Sequence, residues 1–329
     1  MSKPLVSVII PAYNAANYIN DCLFSIQNQT YSNLQIIVVN DGSNDNTIEL
    51  VTKIAESDER IVLINQDNKG CSAAKNKGLQ YFKGDFVQYI DADDMLSNDK
   101  IENQVHALEN NRDCIALCKT VIFKNHIADT NEEIDTDLIS KEGTGKDFLL
   151  RLWGSEGRIG MVQPNAFLVP KEIIYSIGIW DEALSYSPAE DGEYFSRVLL
   201  ASKKVIYTTG INYYRKLPNV MSVSKGNTFQ NAESLFLTIK KSFQHLLRIE
   251  NNKEILGYYS IQLTSCAYRF GNEYPEIFTL VENEFLKHNI KKYKLIGNNR
   301  FVIVANILGF KNVMKLRKNI KQNKYINFS

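Results

Sequence analysis

The sequence predicts an α/β fold built on a mostly parallel sheet, and three observations predict it. Short apolar runs rich in Val and Ile recur at Leu5–Ile10, Leu34–Asn40, Ile61–Asn65 and Asp85–Asp91. Stretches of helical periodicity separate them, at Ala15–Gln29, Asp45–Ser57 and Cys71–Phe82. Polar clusters follow three of these strands directly, which is where ligands bind in such sheets, at the carboxyl ends of the strands.

The later elements continue the pattern less regularly. Asn98–Asn110 reads as a helix, Ile115–Val121 as a strand, and the polar, acidic stretch His126–Glu142 as a loop. Ala166–Val169 and Val205–Thr208 read as strands, with helices near Lys171–Ile177 and from about Asp191 to Ala201. After about Gly226 only helical spacing remains, at Ala232, Leu235, Phe236, Ile239, Phe243, Leu246 and Leu247, then Ile255, Tyr259, Leu263 and Cys266, then Ile277, Val281 and Phe285. Two regions are therefore expected: an α/β domain over 1–226 and a helical C-terminal extension over 227–329.

At 329 residues, 44% hydrophobic and 23% charged, the chain has the composition of an ordinary globular protein. Its net charge of +1 hides an asymmetry. No Asp or Glu follows Glu284, while eleven Lys and Arg do, so residues 1–284 carry −10. Basic tails of this kind are drawn to anionic surfaces. In the tail, Ile303, Ile307, Phe310 and Met314 are expected to share one apolar face. The five cysteines, an odd number, read as reduced thiols of a cytoplasmic protein. Neither a secretory signal nor a spanning apolar stretch is legible.

Four clusters carry the chemistry. Asp91-Ala92-Asp93-Asp94 places three carboxylates in four residues straight after a strand. Their repulsion is relieved if Mn²⁺ or Mg²⁺ sits among them, with substrate phosphates completing the shell. An acidic turn capping the next helix fits equally well on these residues alone. Asp41, followed by Gly42, suits a turn presenting a carboxylate on the same rim, or a plain strand-to-helix connection. Tyr13, within Pro11-Ala12-Tyr13-Asn14, can stack on a base or close the core. Glu190 and Asp191 open a helix, where dipole and free amides favour carboxylates and where a general base is well placed. No G-x-G-x-x-G follows a strand, and Gly145-Lys146 lacks the flanking residues of a phosphate loop.

Taken in order, VSVIIPAYN (6–14), IIVVNDGS (36–43), NKGCSAAKNKG (68–78), GDFVQYIDADD (84–94) and AEDGEYF (189–195) resemble family 2 glycosyltransferases of the GT-A fold, over about residues 5 to 226. The resemblance implies that Pro11, Ala12, Tyr13 and Asn14 line a nucleotide pocket and that Asp41 accepts the ring N–H of the base, which suits uracil. Asp91, with Ala92 beside it, would meet the ribose and metal region, Asp93 would ligate the metal, and Lys75 would pair with phosphate. Asp191, next to Glu190, would deprotonate the acceptor hydroxyl, with Asp94 and Trp180 towards the acceptor side. The four histidines, at 106, 126, 245 and 288, lie away from the position where some relatives carry a metal ligand. The processive signature Gln-x-x-Arg-Trp is missing, which points to single-sugar addition, and the resemblance implies a single displacement that inverts the anomeric centre. Typical acceptors in such relatives are glycans or lipid-linked intermediates of surface polysaccharide at the inner face of the cell membrane. A homodimer through the helical extension is a further expectation, and nucleic acid is not an expected partner. The rival functions are a Mg²⁺-dependent phosphatase or nucleotidyltransferase and a non-catalytic nucleotide-sugar-binding module. The first wants its Asp pair after the first strand, and the second has no use for Glu190-Asp191.

Overall fold

Buried Val and Ile strands dominate the first part of the computed structural model, which describes residues 3–130, 132–185, 187, 189–216 and 228–316. Four strands come first: β1 (Val6–Ala12), β2 (Leu34–Asp41), β3 (Ile61–Gln66) and β4 (Phe86–Tyr89). All pair in parallel, in the order β3-β2-β1-β4, with Ala12 beside Asn40 and Ile9 beside Tyr89. Helices α1 (Ile19–Gln27), α2 (Thr47–Ala55) and α3 (Cys71–Leu79) connect them. Alternate residues of a strand face opposite sides. Val6, Val8 and Ile10 accordingly join one core with Cys22, Leu23 and Ile26 of α1. Ile9 points the other way, towards α3, where a Cβ at Gly78 would stand 2.4 Å from Ile9 Cγ2.

Beyond β4 the sheet turns mixed. It continues through β8 (Phe167–Pro170), β6 (Ile115–Phe123), β9 (Val205–Arg215) and β5 (Met95–Leu96), with β7 (Glu132–Ile134) on the side of β6. Only β6 and β9 among these pair in parallel. Helices α4 (Lys100–Leu108), α5 (Thr136–Ile139), α6 (Gly145–Leu152), α7 (Lys171–Ile177) and α8 (Glu190–Ala201) complete this part.

Three differences from the sequence expectation have physical reasons. The stretch expected as a loop holds β7 and α5, because Ile134, Leu138 and Ile139 are buried despite their acidic neighbours. Helix α1 begins four residues late. The amides of Asn14, Ala15 and Ala16 donate to Ser43 Oγ, Thr47 Oγ1 and Asp45 Oδ2, which holds the chain in a turn. Strand β9 runs through to Arg215 instead of ending at Thr208. Gly210 has φ +104°, and a Cβ there would stand 2.8 Å from Lys100 Cα, so only glycine lets the strand pass α4 and continue.

The chain divides into two compact units: Met1–Leu149, Met161–Ser185 and Tyr194–Val220 form the first, and Leu150–Gly160, Tyr186–Glu193 and Met221–Ser329 the second. The boundary expected at 226 lies outside the described residues. In the second unit α9 (Phe229–Ile249), α10 (Lys253–Phe270) and α11 (Glu276–Lys287) bury the stripes read from the sequence, except that Leu235, Ile239 and Leu247 of α9 are only partly buried. Thr228 and Asn231 form a capping box on α9, and Asn252 caps α10. Trp153 stacks on Phe243 at 4.1 Å and Phe243 on Tyr259 at 4.4 Å. Glu284 is buried but satisfied, by Lys240 Nζ at 2.9 Å and the Tyr259 hydroxyl at 2.9 Å.

The last described helix, α12 (Asn299–Leu308), corrects the single apolar face expected of the tail. Gly309, with φ +83°, breaks it before helical structure resumes over 310–316. Phe310 and Met314 beyond the break are buried, whereas Ile303 and Ile307 before it are exposed. The basic residues from 317 onward lie outside the described residues.

Candidate functional site

The parallel order of β2, β1 and β4 puts the segments after all three on one rim of the first unit. Each of these strands is buried along nearly its whole length, as strands of a parallel sheet covered on both faces are. After β1, Tyr13 is 51% exposed, an aromatic face open at the rim, and Asn14 adopts φ +49°. Asn14 Oδ1 accepts from the Asn44 amide at 2.9 Å, which ties the β1 loop to the β2 loop. Pro11 is partly buried and Ala12 buried beneath Tyr13 in the chain.

Asp41, at the end of β2, is buried and engaged. It accepts hydrogen bonds from Gln66 Nε2 (2.8 Å) and from the amides of Lys69 (2.8 Å) and Gly70 (2.9 Å). A carboxylate offers about four acceptor positions, so roughly one remains for a further donor. The role of holding the loop before α3 was not legible from the sequence.

The turn after β4 separates the three carboxylates sharply. Asp91 and Asp93 are partly exposed, with Ala92 buried between them. Asp94 is fully buried, and its amide closes the turn onto the Asp91 carbonyl at 3.0 Å. The Asp94 carboxylate accepts from the Arg215 amide at 2.7 Å and from Asn165 Nδ2. Burial, and then the charges of Asp93 and Asp91, raise its pKa well above the usual range. Burial, and then the charge of Asp91, push Asp93 up to about 6.

Arg215 holds this turn from behind. Its Nε donates to the Asp93 carbonyl at 2.7 Å, and its guanidinium pairs with Asp21 at 2.8 Å. The guanidinium carbon lies 4.4 Å from the Phe123 ring centroid and 5.2 Å from that of Tyr18. One side chain thus links β9, α1 and the acidic turn. Asn165 does similar work from the other side, accepting from the Asp91 amide at 3.3 Å while donating to Asp94. Both residues escaped sequence reading. No motif marks Asn165, and Arg215 stands beyond Gly210, where the strand pattern fades.

Lys75 and Trp180 are brought together. Lys75, in α3, is buried, and its Nζ lies 4.3 Å from the Trp180 ring centroid. Trp180 stacks on Tyr194 at 4.0 Å and 5°, and Asn76 fixes its backbone through bonds of 2.8 and 3.0 Å. The Tyr194 and Tyr89 hydroxyls lie 2.9 Å apart. Asp94 and Trp180, expected towards an acceptor, are both buried in this arrangement. Glu190 and Asp191 occupy the first turn of α8, in the second compact unit.

Asp91 and Asp93 fit a hard divalent cation. They are two carboxylates of one turn, both partly exposed; burial and the charge of Asp91 hold Asp93 back from ionising, while Arg215 engages the main chain of Asp93. Among the described residues no cluster of three His, Cys, Asp or Glu could hold a metal, so a cation at this pair would need further oxygen ligands.

Comparison with known proteins follows the same lines. Residues 7–167 match the model of glycosyl transferase family 2. An uncharacterized glycosyltransferase of Haemophilus influenzae is 40% identical over 112 residues, 34% of this chain and 45% of that one. The uncharacterized glycosyltransferase RP339 of Rickettsia prowazekii is 27% identical over 298 residues, 81% of this chain and 91% of that one. Among solved structures, S. aureus TarS 1–349 in complex with UDP-GlcNAc superposes with a TM-score of 0.60 at 16% identity, covering 95% of this chain and 91% of that one. The mannosyltransferase PcManGT of Pyrobaculum calidifontis, with GDP-Man and Mn²⁺, gives 0.53 at 17% identity, over 87% and 75%. These two likenesses are of fold.

Proposed function

Because residues 7–167 match the model of glycosyl transferase family 2, we propose that the chain moves one sugar from a nucleotide sugar, UDP-linked by preference, to a hydroxyl of a glycan or lipid-linked acceptor in surface polysaccharide synthesis. The observation that carries this reading is the rim itself, with the exposed Tyr13, the buried Asp41 and the half-exposed pair Asp91 and Asp93 after adjacent strands. Tyr13 stacks on the base, with Pro11, Ala12 and Asn14 shaping the pocket floor. Asp41 offers its remaining acceptor position to the base, and Ala92 leaves room beside the ribose. Lys75 contributes positive potential near the phosphates from within its aromatic packing. Asp93, assisted by Asp91, holds Mn²⁺ or Mg²⁺, which when bound neutralises the charge gathering on the diphosphate.

In the step itself the acceptor oxygen forms its bond to the anomeric carbon. Asp191 takes the hydroxyl proton, with Glu190 beside it. The bond from the anomeric carbon to the diphosphate breaks, and its electron pair leaves on the phosphate oxygen. One displacement inverts the centre. The enzyme acts at the inner face of the cell membrane; no described helix is long and apolar enough to cross a bilayer.

The test is incubation with Mn²⁺ and a panel of nucleotide sugars, with and without acceptors, following nucleotide release and sugar transfer. Asp191→Asn is expected to cut transfer by at least about 100-fold while nucleotide binding persists, in the range of a lost general base. Asp93→Asn is expected to weaken metal-dependent nucleotide binding as well. Phosphate release without transfer to any acceptor would overturn the reading.

A further inference from the structure

The exposed side of α12 has no partner among the described residues of the chain. Ile303, Val304, Ile307 and Leu308 fall within one side of this helix, and Ile303 and Ile307 are 60% and 75% exposed. Ala305, on the opposite side, is buried, so the helix is packed on its protein and leaves the aliphatic stripe outward. Four adjacent aliphatic side chains on a ten-residue helix are more than the scattered exposure normal for a surface.

The charge around the stripe selects its partner. From residue 285 to 316 the chain carries seven Lys and Arg and no Asp or Glu. Arg300 and Lys315 are exposed and Lys311 partly so, flanking the stripe on both sides in the chain. A second copy of the chain would bring this positive surface against itself. The helix, about 15 Å long, is also far short of the ~800 Å² per partner of a stable protein interface. A nucleic-acid backbone would satisfy the cations but leave the aliphatic stripe in water. An anionic bilayer meets both demands, with headgroups for the cations and the acyl boundary for the stripe.

We infer that α12 docks on an anionic lipid bilayer through Ile303, Val304, Ile307 and Leu308, with Arg300, Lys311 and Lys315 at the headgroups. This deepens the membrane placement proposed above by naming the element that makes it. Gly309 is part of the device. It breaks the helix so that Phe310 and Met314 anchor the segment inward while the stripe before it stays outward.

Flotation of the full chain with phosphatidylglycerol-containing vesicles, against phosphatidylcholine vesicles, tests it without any sugar donor. Failure here therefore leaves the transfer reading standing, and failure of transfer leaves this one standing. Wild type is expected to float with anionic vesicles only. Ile303→Ser/Ile307→Ser is expected to lower the bound fraction at least about tenfold at unchanged circular dichroism, and Lys311→Glu/Lys315→Glu to remove the preference for anionic lipid. Because these side chains are exposed, folding is not at stake. An Ile307→Trp variant supplies an independent readout, since its fluorescence is to be quenched by brominated acyl chains. Equal binding to both vesicle types, unchanged flotation of the Ile variant, absence of quenching, or a concentration-dependent dimer abolished by the same substitutions would each overturn the proposal.

Discussion

Of the cations buried in the first unit, Arg215 and Lys100 meet opposite surroundings. Arg215 sits at the rim, paired with Asp21, bonded to the carbonyl of Asp93 and to the carboxylate of Asp94 through its amide. Lys100, the first residue of α4, is fully buried, and its Nζ donates to Gln88 Oε1 and, at 3.4 Å, to the Phe167 carbonyl. Among the described residues no carboxylate pairs with it, and burial lowers its pKa to about 7. The difference teaches that this protein keeps a buried charge where acidic groups must be positioned, and lets a buried amine lose its proton where the task is only to fill and bond.

Breaking the rim is expected to have the largest effect. Arg215→Met leaves Asp21 unpaired and the Asp93 carbonyl without its donor. Asp21 is half exposed and stays solvated, so the loss expected is that of the buried guanidinium's hydrogen bond to the Asp93 carbonyl, about 1.5–3 kcal/mol. Mn²⁺ affinity, measured by calorimetry on the folded fraction, is expected to fall about tenfold or more, as for other groups that orient metal ligands. Arg215→Lys should recover part of the stability but not the two-directional hydrogen bonding. Unchanged Mn²⁺ affinity in Arg215→Met would remove its positioning role.

Lys100→Met sharpens the other half of the comparison. The folded pKa of Lys100 lies near 7, below the unfolded value near 10.4. The unfolded chain therefore binds more protons between those values, and this group's contribution to stability rises with pH from about 7 to about 10. Denaturant midpoints of wild type minus Lys100→Met, followed from pH 6 to 10, should rise over that window. A flat difference would show that Lys100 stays charged.

The smallest effect is expected at a pair near the surface. Asp58 accepts from Arg60 at 2.7 and 2.9 Å, and these bonds first, against burial, hold its carboxyl below the usual range. Its folded pKa is depressed, so the stabilisation is present above the unfolded value and is lost as pH falls through the carboxylate range. Asp58→Asn should cost no more than about 1 kcal/mol at pH 7, and less in high salt. A cost as large as that of Arg215→Met would erase the distinction between rim and surface.

What was legible in the sequence followed from periodicity and chain order. Val and Ile runs separated by helical stretches place β1 to β4 and their helices, because alternation and 3.6-residue spacing are local properties. The rim follows, since parallel strands joined by helices bring their carboxyl ends to one edge. The stripes of α9, α10 and α11 were readable for the same reason. Tertiary structure alone decided the use of each polar group. Asp93 and Asp94 are neighbours of identical chemistry, yet one is half-exposed and the other buried against Asn165 and Arg215, which are 71 and 121 residues away. Ile307 and Phe310 are both apolar, yet a positive φ at Gly309 turns one outward and the other inward. Local pattern determines which elements form. Burial and hydrogen bonding between distant residues determine which carboxylates are left for chemistry, and that is a property of the packed chain.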